Sequence, residues 1–361
     1  MRGLTGVRVV VVGAGIVGAS VTYHLARRGV SVTLIDREAA PAAGVTGGSF
    51  AWFGGRSGDW PGGAEDLRGS VLADYRRLEA ELPDVEVRRS GSLIWHGSAA
   101  EARPDEGQYL VGRDGIRALE PGLRTPPEWV VHTPSDGGVD PVTVTRALVR
   151  ASGAQVILGA TGVALKVDGE RSEMGVPPAG GWGKVTGVTS SAGFHPASTV
   201  VLAAGTGITE LIEPLGVGLP LAASPACLVR LTAPPGLVRT IVSGPDVEVR
   251  EVRDGQLLMT VPVAASPEEG ALRRLRAAFR GADDCRVLGS LVGARPMPAD
   301  GPLVGPLTPD GSVYVAVMHS AVTLAPTVGR LVAQELVTGK PVAELSRCRP
   351  SSTGRNPATA C

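Results

Sequence analysis

The sequence predicts an α/β fold in which an open, mainly parallel sheet is interleaved with a second, antiparallel β-sheet domain of α+β character. Three observations carry that expectation. Residues Arg8 to Asp36 read as strand, glycine turn, helix and strand. The alternation then breaks off into long loops and β-rich stretches, and it resumes near Ser135 and again near Gly301. With 361 residues, 43% of them hydrophobic, the chain is long enough to bury a core under each sheet.

The first unit is the most specific. Arg8 to Val12 is a short apolar run, as a strand buried on both faces requires. Gly13, Gly15 and Gly18 follow as G-x-G-x-x-G: the first allows a tight turn, the second close backbone approach to a diphosphate, the third helix-on-strand packing. Apolar residues recur at helical spacing from Gly15 to Arg28, Gly29 caps the helix, and VSVTLID forms a second strand ending at Asp36. A carboxylate there suits a ribose 2′-hydroxyl and disfavours a cofactor with a 2′-phosphate. This is a Rossmann-like dinucleotide unit, and so far it serves NAD and FAD equally.

The next stretches decide how the domain continues. Ala42 to Gly58 is a loop of small residues containing Trp52 and Phe53, followed by a polar helix from about Ala64 to Leu82. VEVRRSGSLIWHG (residues 85–97) has the pattern of a strand pair in an antiparallel sheet. Asp140 and Pro141 then start a helix that Ser152 and Gly153 end, and Ala154 to Leu158 read as another buried strand. STVVLAAGTGITELI gives a strand running into Ala204, Gly205 and a helix. From about Leu219 to Ala294 the chain is again β-rich, with alternating DVEVREV and QLLMTVPV and a helix near Pro267 to Arg280. A strand at Val313 to Val317 and a helix ending at Gly339 close the pattern, and the tail from Cys348 to Cys361 reads as disordered.

Composition narrows the partners. Lys plus Arg and Asp plus Glu both number 35, which argues against nucleic acid, an anionic membrane surface or a polyanionic substrate and for a small, near-neutral ligand. Cys227, Cys285, Cys348 and Cys361 are widely spaced, which predicts neither a zinc site nor a disulfide framework and favours a reducing compartment. No run approaches a membrane span, and the expected setting is soluble and cytoplasmic, with an oligomer open.

Taken in order, the opening unit, GGVDPVTVTRALV, VVLAAG, GARPMPADGPLVG and HSAVTLAPTVGRL make the chain resemble the FAD-dependent D-amino-acid oxidase, glycine oxidase and sarcosine oxidase family from Arg8 to Gly339. The resemblance implies FAD and amine oxidation. It also implies an FAD-binding domain of residues 1–82, 136–218 and 296–347 interleaved with a substrate domain of 83–135 and 219–295. The expected reaction is oxidation of the C–N bond of a small amino acid or amine, with hydride passing to flavin N5. Imine hydrolysis follows, and oxygen or another acceptor reoxidises the flavin. The competing readings are a flavin-binding tailoring protein or subunit without its own turnover and an NAD-dependent dehydrogenase, the latter disfavoured by the interrupted domain.

The cofactor contacts expected on this basis begin with Gly13, Gly15, Ile16, Val17 and Gly18, then Asp36 and Arg37. They continue through Thr46, Gly47, Gly48 and Ser49 to Val163, Ala204, Gly205 and Gly305, and end at Ser320, Ala321, Val322, Thr323 and Leu324. The small residues of HSAVTLAP suit a backbone pressed against a flat ring, and the following helix N-terminus suits the negative charge that develops on reduction. Pro326 is expected in the first turn of that helix, where its missing N–H costs no bond. Ala321 replaces the glycine common in this motif, so the loop there is either shifted or has a φ open to alanine.

For chemistry, Arg295 matches the family's bidentate carboxylate binder, against a structural arginine before a proline. His319 reads as a proton shuttle beside the flavin or as a hydrogen-bonded structural histidine. Trp52, Phe53 and Tyr314 are candidates for the pocket wall, Trp60, Trp95 and His96 more distant ones. Asp300 and Gly301 read as a turn, and no general base is evident. No cysteine falls in the C-terminal flavin segment, so FAD is expected to bind noncovalently; no metal is expected.

Overall fold

A computed structural model describes residues 7–54, 60–96, 102–168 and 183–350. Its first sheet has six strands in the order Leu303–Pro306, Val313–Val317, Thr199–Leu202, Arg8–Val12, Ser31–Ile35, Gln155–Ile157. All pair in parallel except the outermost Leu303–Pro306, which runs antiparallel to its neighbour. The period of two along Arg8–Val12 divides its side chains between two cores: Val9 and Val11 join one apolar cluster, Val10 and Val12 another.

One face of this sheet carries three helices, Ile16–Ala26, Pro141–Ser152 and Ala321–Thr338. The opposite core includes Leu165, Val185 and Val188 from a three-stranded antiparallel sheet. Every residue from Ile16 to Leu25 is buried, so that helix is packed all round instead of on one stripe. Its close neighbour needs a glycine: a Cβ on Gly329 would stand 2.2 Å from the Ser20 hydroxyl.

The second sheet has eight strands, in the order Arg286–Pro298, Leu221–Thr232, Gln256–Val261, Glu248–Arg253, Ile241–Ser243, Ser92–Ile94, Trp129–Thr133, Tyr109–Gly112. One face buries Val229, Leu257 and Met259 with Leu275 of helix Pro267–Ala278. The other buries Leu228, Val252 and Leu258 with Phe50 of the small-residue loop.

Several expectations are corrected. The helix expected over residues 64–82 is two, Ala64–Arg68 and Val71–Glu81, broken at Gly69 and Ser70. Residues 85–96 contain one strand, Ser92–Ile94, because its partners are Ile241–Ser243 and Trp129–Thr133, remote in sequence. Gln155–Ile157 is a sheet edge with Val156 exposed, since among the described residues no strand pairs beyond it. The end of the chain is ordered further than expected: Cys348 is fully buried and Arg349 pairs with Glu335 at 2.8 Å, while residues 351–361 lie outside the described residues.

Pro326 is the sharpest correction. It sits inside the helix Ala321–Thr338, past the first turn, where a missing N–H leaves the carbonyl four residues earlier without its helical donor. That carbonyl belongs to Val322, and the Tyr75 hydroxyl donates to it at 2.5 Å. A side chain from another helix thus completes the bond that proline cannot make.

Candidate functional site

A cavity of about 670 Å³ lies where the N-terminal ends of helices Ile16–Ala26 and Ala321–Thr338 meet the inner face of the eight-stranded sheet. Neither N-cap residue, Gly15 nor Ser320, caps its own helix through its side chain, so first-turn amides such as those of Val17, Val322 and Thr323 are left for this space.

At one end the glycine turn does what its spacing requires. Gly13 has φ +110°, and a Cβ there would stand 2.5 Å from the Ala203 carbonyl oxygen. A Cβ on Gly18 would stand 1.9 Å from the Gly13 carbonyl oxygen, so the helix rests directly on the turn. The Ile16 amide donates to the Thr46 hydroxyl at 3.1 Å. Asp36 accepts from the amides of Ala14 and, at 2.8 Å, Glu38, which fixes its carboxylate at the cavity wall. Gly15, Val17, Arg37, Gly48, Ser49, Val163, Ala204 and Gly205 also line the space.

Four expected contacts do not. Gly47 turns its carbonyl toward Arg230, which donates to it at 3.3 Å. Leu324 is inside the last helix and buried in its core, its amide bonded to the Ser320 carbonyl at 3.0 Å. Gly305 is on an edge strand beneath Arg349. Gly18 acts by packing and not as cavity wall.

At the other end Met318, His319, Ser320, Ala321, Val322 and Thr323 line the cavity. Ala321 has no positive φ; among described non-glycine residues only Ala42 and Ala51 do, so the alanine starts the helix without strain. The Thr323 hydroxyl donates to the Trp52 carbonyl at 3.1 Å, tying the last helix to the loop. Trp52 lines the cavity, and its indole N–H donates to Asp136 at 3.0 Å. Phe53 and Tyr314 do not reach the cavity. Phe53 stacks on Tyr75 with ring centroids 4.1 Å apart. Tyr314 is turned into the helix-covered core, where its hydroxyl donates to Glu335 at 2.8 Å. Trp60, Trp95 and His96 also stand outside the cavity wall.

The sheet supplies Arg295, Cys227, Glu248 and Thr260. Arg295 donates to the Ser224 hydroxyl at 3.0 Å, and burial followed by the Arg295 charge pulls the His319 pKa below the usual histidine range. His319 is therefore an uncharged imidazole at neutral pH.

Sequence reasoning missed two residues of the Glu248–Arg253 strand. Glu248 brings a carboxylate into the cavity and accepts a short hydrogen bond from Thr260. Arg250, 1% exposed, donates to the carbonyls of Phe50 and Val139, both at 2.6 Å, and so clamps the small-residue loop to the sheet. Burial pulls its pKa down to about 9, with Asp140 opposing that shift, so it stays cationic at neutral pH. The signal was the alternation in DVEVREV, which puts residues 248 and 250 on one face; which face met the cavity depended on partners far along the chain.

Comparison with known proteins agrees with this geometry. A family model described as FAD dependent oxidoreductase matches residues 8–335. An uncharacterised oxidoreductase of Bacillus subtilis is 26% identical over 92% of this chain and 95% of its own. A glycine oxidase of Pseudomonas aeruginosa is 26% identical with the same coverage of 92% and 95%. Among solved structures, glycine oxidase from Geobacillus kaustophilus superposes with a TM-score of 0.79 at 20% identity, covering 95% of this chain and 98% of that one. Iminodiacetate oxidase from Chelativorans gives 0.75 at 22% identity, covering 95% and 99%.

Proposed function

The chain belongs to the FAD-dependent oxidoreductase family, and from that premise we propose that it oxidises the C–N bond of a small amino acid or amine that carries a carboxylate. The observation that carries this reading is the meeting, in one cavity, of two helix N-termini and the guanidinium of Arg295. The residues fit the cofactor. Amides at the start of helix Ile16–Ala26, over a turn that leaves no room for a Cβ at Gly13 or Gly18, suit a diphosphate, and Asp36 suits the ribose. Amides of Val322 and Thr323 suit the electron-rich edge of a flavin ring.

On this reading the six-stranded sheet with its helices forms the FAD-binding domain and the eight-stranded sheet the substrate domain. Cys227, the cysteine among the cavity-lining residues described, is on the sheet, and burial first, then Glu268, raises its thiol pKa, which supports noncovalent FAD.

Bound FAD would supply the two-electron acceptor. Arg295 holds the substrate carboxylate through paired N–H donors and so fixes which C–H bond faces the ring. His319, uncharged, is able to take the proton that a substrate ammonium gives up, leaving the neutral amine from which a hydride can depart. Trp52 and the loop pinned by Arg250 keep bulk water out of that end.

The test is anaerobic mixing of the purified yellow protein with glycine, sarcosine and both enantiomers of common amino acids. Bleaching of the visible flavin bands by any of them is the expected result. A flavin that stays oxidised with all of them would overturn the reading.

A further inference from the structure

We infer that Glu248 sets the substrate class: the cavity takes a carboxylate at Arg295 and a second, distal cation at Glu248, an ammonium or guanidinium separated from the carboxylate by an aliphatic chain. The inference rests on the reading of Arg295 as the carboxylate anchor.

The register of the eight-stranded sheet supports it. Arg295 stands opposite Ser224, and four residues away Leu291 stands opposite Leu228. Leu228 faces Thr260, and Thr260 faces Glu248. Directly opposed residues project to the same face, and so do residues four apart on one strand. Arg295 and Glu248 therefore share the face that lines the cavity.

Each is drawn toward the next strand by its hydrogen bond, Arg295 to Ser224 and Glu248 to Thr260. The distance left between them is set by the four residues from Ser224 to Leu228, about 13 Å at the rise of a β-strand. The carboxylate and ammonium of an α-amino acid are separated by a single carbon and do not span that gap. Between the two positions the strand presents Ala226 on this face, a small apolar residue suited to methylene groups.

Charge points the same way. Among the described residues Glu248 forms no ion pair, and its hydrogen-bond partner Thr260 is neutral. A half-buried carboxylate with only a neutral partner gains by taking a cation, and the distal group of a basic amino acid delivers one.

The experiment uses the FAD-loaded protein and two readouts. Anaerobic flavin reduction is measured with both enantiomers of lysine and ornithine and of their neutral counterparts norleucine and norvaline. Binding of 5-aminopentanoate and of pentanoate is titrated through the visible flavin spectrum.

The expected result is at least tenfold tighter binding of 5-aminopentanoate and at least tenfold more efficient reduction by the basic amino acids, with both preferences lost in Glu248→Gln. Equal behaviour of charged and neutral members, or a preference that survives Glu248→Gln, overturns the inference. Reduction by neutral amino acids alone overturns it and leaves carboxylate-anchored amine oxidation standing; no reduction by any amino acid overturns both. Should the variant fail to hold FAD, the 5-aminopentanoate to pentanoate ratio on the unaltered protein decides the matter alone.

Discussion

The Tyr75 hydroxyl donates to the Val322 carbonyl oxygen at 2.5 Å, supplying the hydrogen bond that Pro326 withholds from its own helix. Tyr75 is fully buried and its phenol is held well above the usual tyrosine range, so it remains protonated and able to donate. Tyr75→Phe should therefore strand a buried carbonyl and cost roughly 1–2 kcal/mol of stability. Pro326→Ala, which returns an amide donor to that carbonyl, should recover part of the loss when combined with Tyr75→Phe. Denaturant unfolding of the two single variants and the double variant measures the coupling, and strictly additive effects would show that the two sites are independent.

Arg295→Ala should raise the apparent substrate constant about 100-fold, the loss expected for a charged bidentate contact. Flavin content should be unchanged. Steady-state kinetics beside the visible absorbance of the purified variant separate the two effects, and an unaltered constant removes the anchor role.

Gly18→Ala forces a Cβ to within 1.9 Å of the Gly13 carbonyl oxygen, a backbone atom that cannot give way without moving the turn. The variant should be purified with little or no FAD. Gly69→Ala, where an added Cβ meets nothing within 4 Å, should keep its full complement. The ratio of visible to ultraviolet absorbance reports both.

Removing the Arg295 charge should raise the His319 pKa toward the ordinary histidine value, because that charge is the second cause of its depression after burial. An NMR titration of labelled histidine in Arg295→Gln against the unaltered protein checks this. An unmoved resonance would mean that the two side chains do not sense each other.

His24 is buried beside Arg28, Arg330 and Arg77, with Asp74 the opposing charge, and burial foremost holds its pKa near 4. Below about pH 6.5 the unfolded chain binds a proton that the folded chain refuses until about pH 4. Stability should thus fall on acidification through that window, by up to roughly 3 kcal/mol from this group. Unfolding free energies between pH 7.5 and 4.5 should show a shallower slope in His24→Gln; an equal slope would assign the acid sensitivity elsewhere.

The parts legible in sequence are those whose physics is local. The glycine turn, the strand Val313–Val317, the cap of Asp140, which accepts from the Val142 amide, and the left-handed Gly153 all follow from spacing and residue type. What stayed hidden depends on distant partners. Ser92–Ile94 pairs with Ile241–Ser243, and no short-range pattern announces that. Val156 is as apolar as a buried strand residue but ends up on an edge because no further strand among the described residues pairs there. Phe53 and Tyr314 were read as pocket aromatics, yet their rings fill the core, where Tyr75 and Glu335 receive them. Glu248 was invisible as a site residue for the same reason: alternation gives two faces, and only the assembled sheet says which one meets the cavity.

The strand Arg8–Val12 is flanked by Ser31–Ile35 on one side and by Thr199–Leu202 on the other, and Ser20 donates to Ala325, 305 positions downstream. During synthesis the earlier segment must therefore wait for one made about 300 residues later, with its apolar helix lacking a partner until then. Cofactor loading belongs after Val313–Val317 and Ala321–Thr338 have been made, and any truncation upstream of Val313 should leave a product fit for chaperones and proteases but not for flavin.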